Sequence, residues 1–322
     1  MIKKLITKFK VVDTTSKENN MAVTPLSTPP VPPNSNLGRG MFVWVTSNST
    51  QDPLNNDTKQ QALLNFCGTQ GINYVFLDMW QYLGASNWTS TKLNNLRKFL
   101  DAAHKSGIKV WALAGNTDWG TAQNWVATNI LKNLLWFQTQ TLDPTRNFDG
   151  VMLDVEYWTD GGLDVEDNCS GLCDLMRMFR TTLNIPVGCF TGFYLKDNTA
   201  TRASFTYNGK SAQDGEHLMD NSDLTVVGAY RDHANDNGTD GPGQITLFQA
   251  WYDYASQYGK NLPLMCGSET IDVSPAYITY FGASKATMET EHTTISNTFR
   301  VATNSCFVGQ AVHSYDGWKA MS

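Results

Sequence analysis

The 322-residue sequence has no apolar run approaching the roughly 20 residues that a membrane-spanning helix needs, so insertion into a bilayer is not expected. It also lacks an excess of basic charge. Lysine and arginine total 24 against 30 acids, for a net charge of −6 and a pI near 5.3. Such a mixed, acidic surface is a poor match for nucleic acid or an anionic membrane. The six cysteines are too few and too dispersed for a disulfide framework in a chain this long. Cys189, Cys266 and Cys306 read as small strand hydrophobes, while Cys169 and Cys173 are able to pair in an oxidising compartment. No cysteine and histidine stand at zinc spacing and the five histidines are scattered, so neither metal nor organic cofactor is expected. The acidic stretch TDGGLDVEDNCSG (159–171) lacks the ligand spacing of an EF-hand and reads as a solvated loop overhanging a pocket. No G-x-G-x-x-G follows the first strand, which argues against a dinucleotide-binding open sheet.

The first residues, MIKKLITKFK, have a basic start without the apolar stretch and small-residue cleavage site of a signal peptide. The compartment is therefore open, with an extracellular or surface-associated setting favoured. Five prolines between residues 24 and 38 predict an extended, semi-rigid spacer. The expected organisation is a basic then Pro-rich tail over 1–37, serving as a tether to a larger assembly, and a folded domain over 38–322.

From residue 40 onward, short β-branched and aromatic runs alternate with amphipathic helical stretches. Strands are predicted at 41–47, 73–80, 109–115, 150–156, 186–193, 224–232, 262–268 and 306–315, with helices between them whose apolar residues recur at three and four. Eight such units over about 280 residues predict an α/β fold of the (β/α)₈ barrel type as a single domain. In that fold the chemistry sits at the carboxyl ends of the strands.

The stretch FDGVMLDVEYW (148–158) then becomes informative. With a period of two, Met152, Asp154, Glu156 and Trp158 share the inward face, while Val151, Leu153 and Val155 face the helices. Two acids on one buried face are costly unless paired, hydrogen-bonded or used. Other strand ends agree in character: Asp78 and Trp80 close the second, and Asn116 and Trp119 follow the third. Tyr230 and Asp232 end the sixth, Glu269 follows the seventh, and His313, Tyr315 and Trp318 follow the eighth. Acids and flat aromatic faces gathered on one rim suit carbohydrate, since indoles stack on sugar rings and carboxylates bind hydroxyls or move protons.

FDGVMLDVE resembles the fourth-strand signature DGxDxDxE of family 18 glycoside hydrolases, the chitinase-like barrels. Asp149, Gly150, Asp154 and Glu156 match, and Met152 stands where that signature has its first strand aspartate. The resemblance implies Glu156 as general acid and Asp154 as the residue that orients a substrate N-acetyl group, which itself attacks the anomeric carbon. GAYRD (228–232) only approximates the Tyr-Asp of the sixth strand, with Tyr230 expected to support the intermediate. CGSETIDVSPAYITYFG and FVGQAVHSYDGW also resemble the final segments of uncharacterised bacterial glycosidase-like barrels. That second likeness implies Glu269 opposite Glu156, as an alternative nucleophile or base. The function expected is hydrolysis of a polysaccharide or N-acetylated glycan. The alternative is a catalytically inactive carbohydrate-binding or structural barrel held to an assembly by its tail.

Overall fold

The structure, a computed structural model, describes residues 23–34, 37–45, 47–48, 50–84, 89–120, 125–159, 165–198, 203–257, 262–300 and 306–322. Eight parallel strands close into a barrel. They are β1 (Gly38–Val43), β2 (Tyr74–Asp78), β3 (Lys109–Ala114), β4 (Gly150–Leu153), β5 (Val187–Gly192), β8 (Leu224–Gly228), β9 (Leu264–Glu269) and β10 (Phe307–His313). Around the ring the order is β1-β10-β9-β8-β5-β4-β3-β2, with every neighbouring pair parallel, so the (β/α)₈ expectation holds. The outer layer comprises α1 (Asp57–Gln70), α3 (Ser90–Lys105), α4 (Trp125–Thr139), α5 (Val165–Leu183), α6 (Asp214–Asn221), α7 (Gln244–Gln257) and α8 (Lys285–Phe299). Two short helices, α2 (Trp80–Leu83) and α9 (Tyr315–Ala320), follow β2 and β10. Among the described residues, no helix is long and apolar enough to cross a membrane.

Local chemistry sets the helix starts. Asn56 accepts from the Lys59 N–H at 3.0 Å to cap α1, and Thr89 does the same for Lys92 in α3. Leu96, Phe99, Leu100 and Ala103 are the buried stripe of α3, at the three-and-four spacing that turns one face of a helix to the sheet. Between β5 and α6 lies an unexpected hairpin, β6 (Phe205–Tyr207) with β7 (Lys210–Ala212). Asn208 and Gly209 turn it, both with positive φ (50° and 78°), the Asn-Gly signature of a two-residue hairpin loop.

Alternation along each strand divides the core in two. Val75 and Leu77, Val110 and Ala112, Val151, Leu153 and Val155 belong to the apolar layer between sheet and helices. Phe42, Phe76, Trp111, Leu113, Met152, Phe190, Val226, Met265 and Ala311 fill the barrel interior. The indole of Trp111 reaches across this interior because β4 has no side chain at Gly150: a Cβ there would lie 2.6 Å from Trp111 Cδ2. Met152 is fully buried in the same filling, its methyl group beside Gly188. The lower barrel is thus a packed aromatic floor.

Two expectations need correcting. Residues 23–34 are not a free spacer: they lie as an extended strap along α1 and the end of α3. Leu26 N–H donates to Ser106 Oγ at 2.7 Å, and Thr24 and Gln61 bond to each other. Proline stiffness remains, but apolar contacts of Val23, Leu26 and Pro29 dock the segment. The acidic stretch is also not all loop, since its residues from Val165 form the first turns of α5, with Asn168 and Cys169 buried. Glu166 and Asp167 occupy the first turn, where acids complement the helix dipole. Residues 1–22 and 160–164 lie outside the described residues. All six cysteines are buried free thiols.

The strap gives a direct test. Gly71 has φ +65°, and a Cβ on it would sit 2.3 Å from the Val31 carbonyl oxygen. Gly71→Ala is expected to lower unfolding stability by about 1–3 kcal/mol, measured as the urea midpoint. A midpoint equal to wild type would show that the strap does not press on this turn.

Candidate active site

The floor ends where the strands do, and polar side chains replace the apolar ones on the same inward phase. On β4, Met152 is followed by Asp154 and then Glu156. The Asp154 N–H donates to the Ala114 carbonyl at 3.0 Å, fixing the chain against β3 as it leaves the barrel. Gly115 makes this approach possible, since a Cβ there would fall 1.8 Å from the Asp154 carbonyl oxygen.

Asp154 is the strained member electrostatically. Its Oδ1 is buried and has no hydrogen-bond partner. Burial first, and the negative Glu156 second, push its carboxyl up from 3.8 to about 7, with His313 opposing. Glu156, half-buried at the mouth, is likewise raised by burial and opposed by His313. The larger displacement falls on Asp154, because it lies deeper. Among the described residues, no lysine or arginine forms a salt bridge with either acid.

Across the mouth, Tyr230 follows β8, with its ring 6.0 Å from that of Phe190. Burial, then the charges of Glu269, Asp154 and Glu156, hold its phenol well above the usual value, so it is a proton donor. Glu269 closes β9 with both oxygens engaged. Oε1 accepts from the N–H groups of Thr270 (2.7 Å) and Ile271 (2.9 Å), and Oε2 lies 2.8 Å from His313 Nδ1. The other imidazole nitrogen, Nε2, lies 2.7 Å from the indole Nε1 of Trp44, which can only donate. His313 therefore accepts at Nε2 and donates from Nδ1 to Glu269. On β2, Asp78 accepts from the N–H groups of Val45 (3.3 Å) and Trp80 (2.9 Å), and burial raises its carboxyl to about 6.

Asp154, Glu156, Tyr230, Glu269, His313 and Asp78 therefore end strands around one mouth. Trp158 stands half-buried beside Tyr157 and Tyr194, and Trp80 is exposed at the rim. Asn116 is exposed beyond β3, with its amide oxygen taken by the Thr117 N–H. Asp232 lies further out and bonds to His233 at 2.7 Å. Three expected substrate contacts are corrected. Trp119, Tyr315 and Trp318 are buried in the layer outside the barrel and offer no face to a ligand. For the last two the reason is α9, which begins right after Ser314 and turns them onto Phe66. Asp149, part of the matched signature, is a bracket beneath the site: its Oδ2 accepts from Val110 N–H at 2.6 Å and contacts His104. Sequence reasoning passed over Trp44 and Tyr194. Trp44 was findable, since it shares the inward phase of Phe42 at the carboxyl end of β1.

Known proteins resemble this chain through architecture. The sequence matches no family model and no curated protein. Among solved structures, a chitinase from Bacteroides thetaiotaomicron aligns with a TM-score of 0.53 at 12% identity, over 87% of this chain and 90% of that one. The AHE enzyme from Alicyclobacillus herbarius aligns with a TM-score of 0.53 at 11% identity, over 90% and 89% of the two chains. In fold, this is a (β/α)₈ barrel. The resemblance noted on β4 thus holds for the architecture, and at these identities the likeness is one of fold alone.

The electrostatics of Asp154 have a measurable sign. Between pH 4 and 7 the folded state holds a proton that the unfolded chain has released, so stability falls as pH rises through that window. Asp154→Asn should flatten this dependence, being more stable than wild type at pH 8 and no more stable at pH 4. Parallel urea midpoints for the two proteins across the window would contradict the burial of this carboxyl.

Proposed function

We propose that this protein is a glycoside hydrolase acting on a polysaccharide or glycan bearing N-acetylated sugars. The observation that carries the reading is the Asp154–Glu156 pair: two carboxyls just past the end of β4, both raised by burial, with the buried Oδ1 of Asp154 orphaned and, among the described residues, no salt bridge to lysine or arginine. A structural ion pair would have supplied the missing charge. Retaining a proton near neutrality is instead what a general acid needs.

In this reading Glu156, at the opening, meets the glycosidic oxygen and donates its proton as the bond to the anomeric carbon breaks. Asp154 stores a proton beside it in the dry interior and orients the 2-acetamido group. The carbonyl oxygen of that group attacks the anomeric carbon, and water later opens the resulting ring. The Tyr230 hydroxyl donates to the acetamido oxygen of the bound substrate and holds it against the anomeric carbon before attack. Support for this substrate-assisted route over a double displacement comes from Glu269. An attacking carboxylate needs a free oxygen about 5–5.5 Å from the acid/base, and both Glu269 oxygens are already held. Trp158 and Trp80 stand where sugar faces would pass.

Hydrolysis of soluble chitin oligomers and of a panel of aryl β-glycosides tests the proposal. Glu156→Gln should lower turnover by at least about 10³-fold with binding retained. The wild-type rate should decline as pH rises above about 7, where the pair loses its last proton. Glu156→Gln turnover equal to wild type would reject the assignment, and binding without release by the wild type would replace hydrolysis with a carbohydrate-binding role.

A further inference from the structure

The chain of hydrogen bonds that begins at Glu269 does not end on either catalytic acid. It ends on an indole. Glu269 is fixed by two backbone N–H groups and by its burial, so its remaining oxygen is a rigid anchor for His313 Nδ1. With Nδ1 donating, Nε2 presents a lone pair, and the Trp44 Nε1–H fills it at 2.7 Å. The two rings meet edge to face, with centroids 5.7 Å apart at 73°. His313 has spent both nitrogens and has none left for a ligand. Phe42 holds the imidazole from beneath at 5.7 Å.

Trp44 is differently placed. It follows the last residue of β1 on the inward phase, packs partly against the interior aromatic cluster, and keeps a smaller part of its surface exposed. A tryptophan whose N–H is tied down at its edge has its ring plane fixed while its face remains available. Fixed aromatic planes with a polar edge satisfied are what a pyranose ring needs to stack its C–H face.

We infer that Trp44 is a sugar-stacking platform of this mouth and that His313, anchored by Glu269, is the positioning residue that sets its plane. The inference rests on the proposed glycan reading and names which side chain carries binding in it. It assigns Glu269 and His313 an architectural task, on the β1–β10 side of the mouth, separate from the proton chemistry of β4. His313 acts on affinity only through Trp44.

The test measures affinity for N-acetylglucosamine hexamer by titration calorimetry in a full-length Glu156→Gln host, where turnover does not interfere. Adding Trp44→Ala should weaken affinity at least about tenfold, with Trp44→Phe intermediate. His313→Phe keeps a flat ring but neither hydrogen bond, and should weaken affinity about fivefold. His313→Gln, which retains a donor and an acceptor, should recover most of that loss. In the Trp44→Ala background, His313→Phe should add nothing further, because the two act on one contact. A second readout needs no ligand: the Trp44 indole N–H resonance, identified by its absence in Trp44→Phe, should move upfield in His313→Phe. Unchanged affinity in Trp44→Ala, beside a host that binds the hexamer, overturns this inference and leaves the proposed function standing. Additive losses for Trp44→Ala and His313→Phe, or an indole resonance indifferent to His313, overturn the positioning role. A host and wild type that neither bind nor cleave the hexamer overturn both readings together.

Discussion

Two neighbouring carboxyls just past the end of one strand, partly withdrawn from water and with no lysine or arginine salt-bridged to them among the described residues, are the constraint on which the site depends. Water solvates a carboxylate far better than protein does, and each acid makes ionisation of the other harder. Asp154, the deeper one, answers by keeping its proton to about pH 7. Such an arrangement opposes folding and persists only where the rest of the structure determines it. The barrel does so, because strand alternation leaves β4 no choice: burying Val151, Leu153 and Val155 against the helices turns Met152, Asp154 and Glu156 inward.

The surroundings then divide the labour. Below, Phe42, Phe76, Trp111 and Phe190 form the floor that excludes water, and Met152 fills the level just under Asp154. Around the rim, Asp78, Glu269, His313 and Asp232 are each taken by a local partner. Backbone N–H groups hold Asp78 and Glu269, His313 is shared between Glu269 and Trp44, and Asp232 lies against His233. Among the described residues, Asp154 Oδ1, just past β4, is the one buried carboxyl oxygen left without a partner. The unpartnered carboxyl and the hydrogen-bonded scaffold thus sit on opposite sides of one opening, the first just past β4 and the second on β9, β10 and the end of β1.

Much of this was legible in the sequence because strands read with a period of two. The eight barrel strands, the inward phase of Asp154 and Glu156 and the convergence of Asp78, Tyr230, Glu269 and His313 all follow from alternation plus position at a strand end. What escaped was whatever alternation does not govern. Tyr315 continues the strand phase of His313 and Trp318 lies just beyond it, but a helix starts at once and its 100° step carries both outward. Trp119 sits on a tight helical turn after β3 and is buried for the same reason. The strap over residues 23–34 escaped because proline content reports stiffness, not docking. The hairpin at 205–212 was readable from Asn208-Gly209 and was missed. The partners of Glu269 and His313 were beyond any one-dimensional reading, since Trp44 lies 269 positions from His313 in sequence.

The central claim is that the mouth of this barrel keeps a proton on Asp154, beside Glu156, up to about neutral pH. Carbon-13 titration of the aspartate and glutamate side-chain carboxyls, assigned with Asp154→Asn and Glu156→Gln, observes that proton without substrate or turnover. The account predicts an Asp154 midpoint near 7 in the wild type, falling only part of the way when Glu156 is neutralised because burial is the larger cause. Two independent midpoints below 5, unaffected by replacing the neighbour, would contradict it.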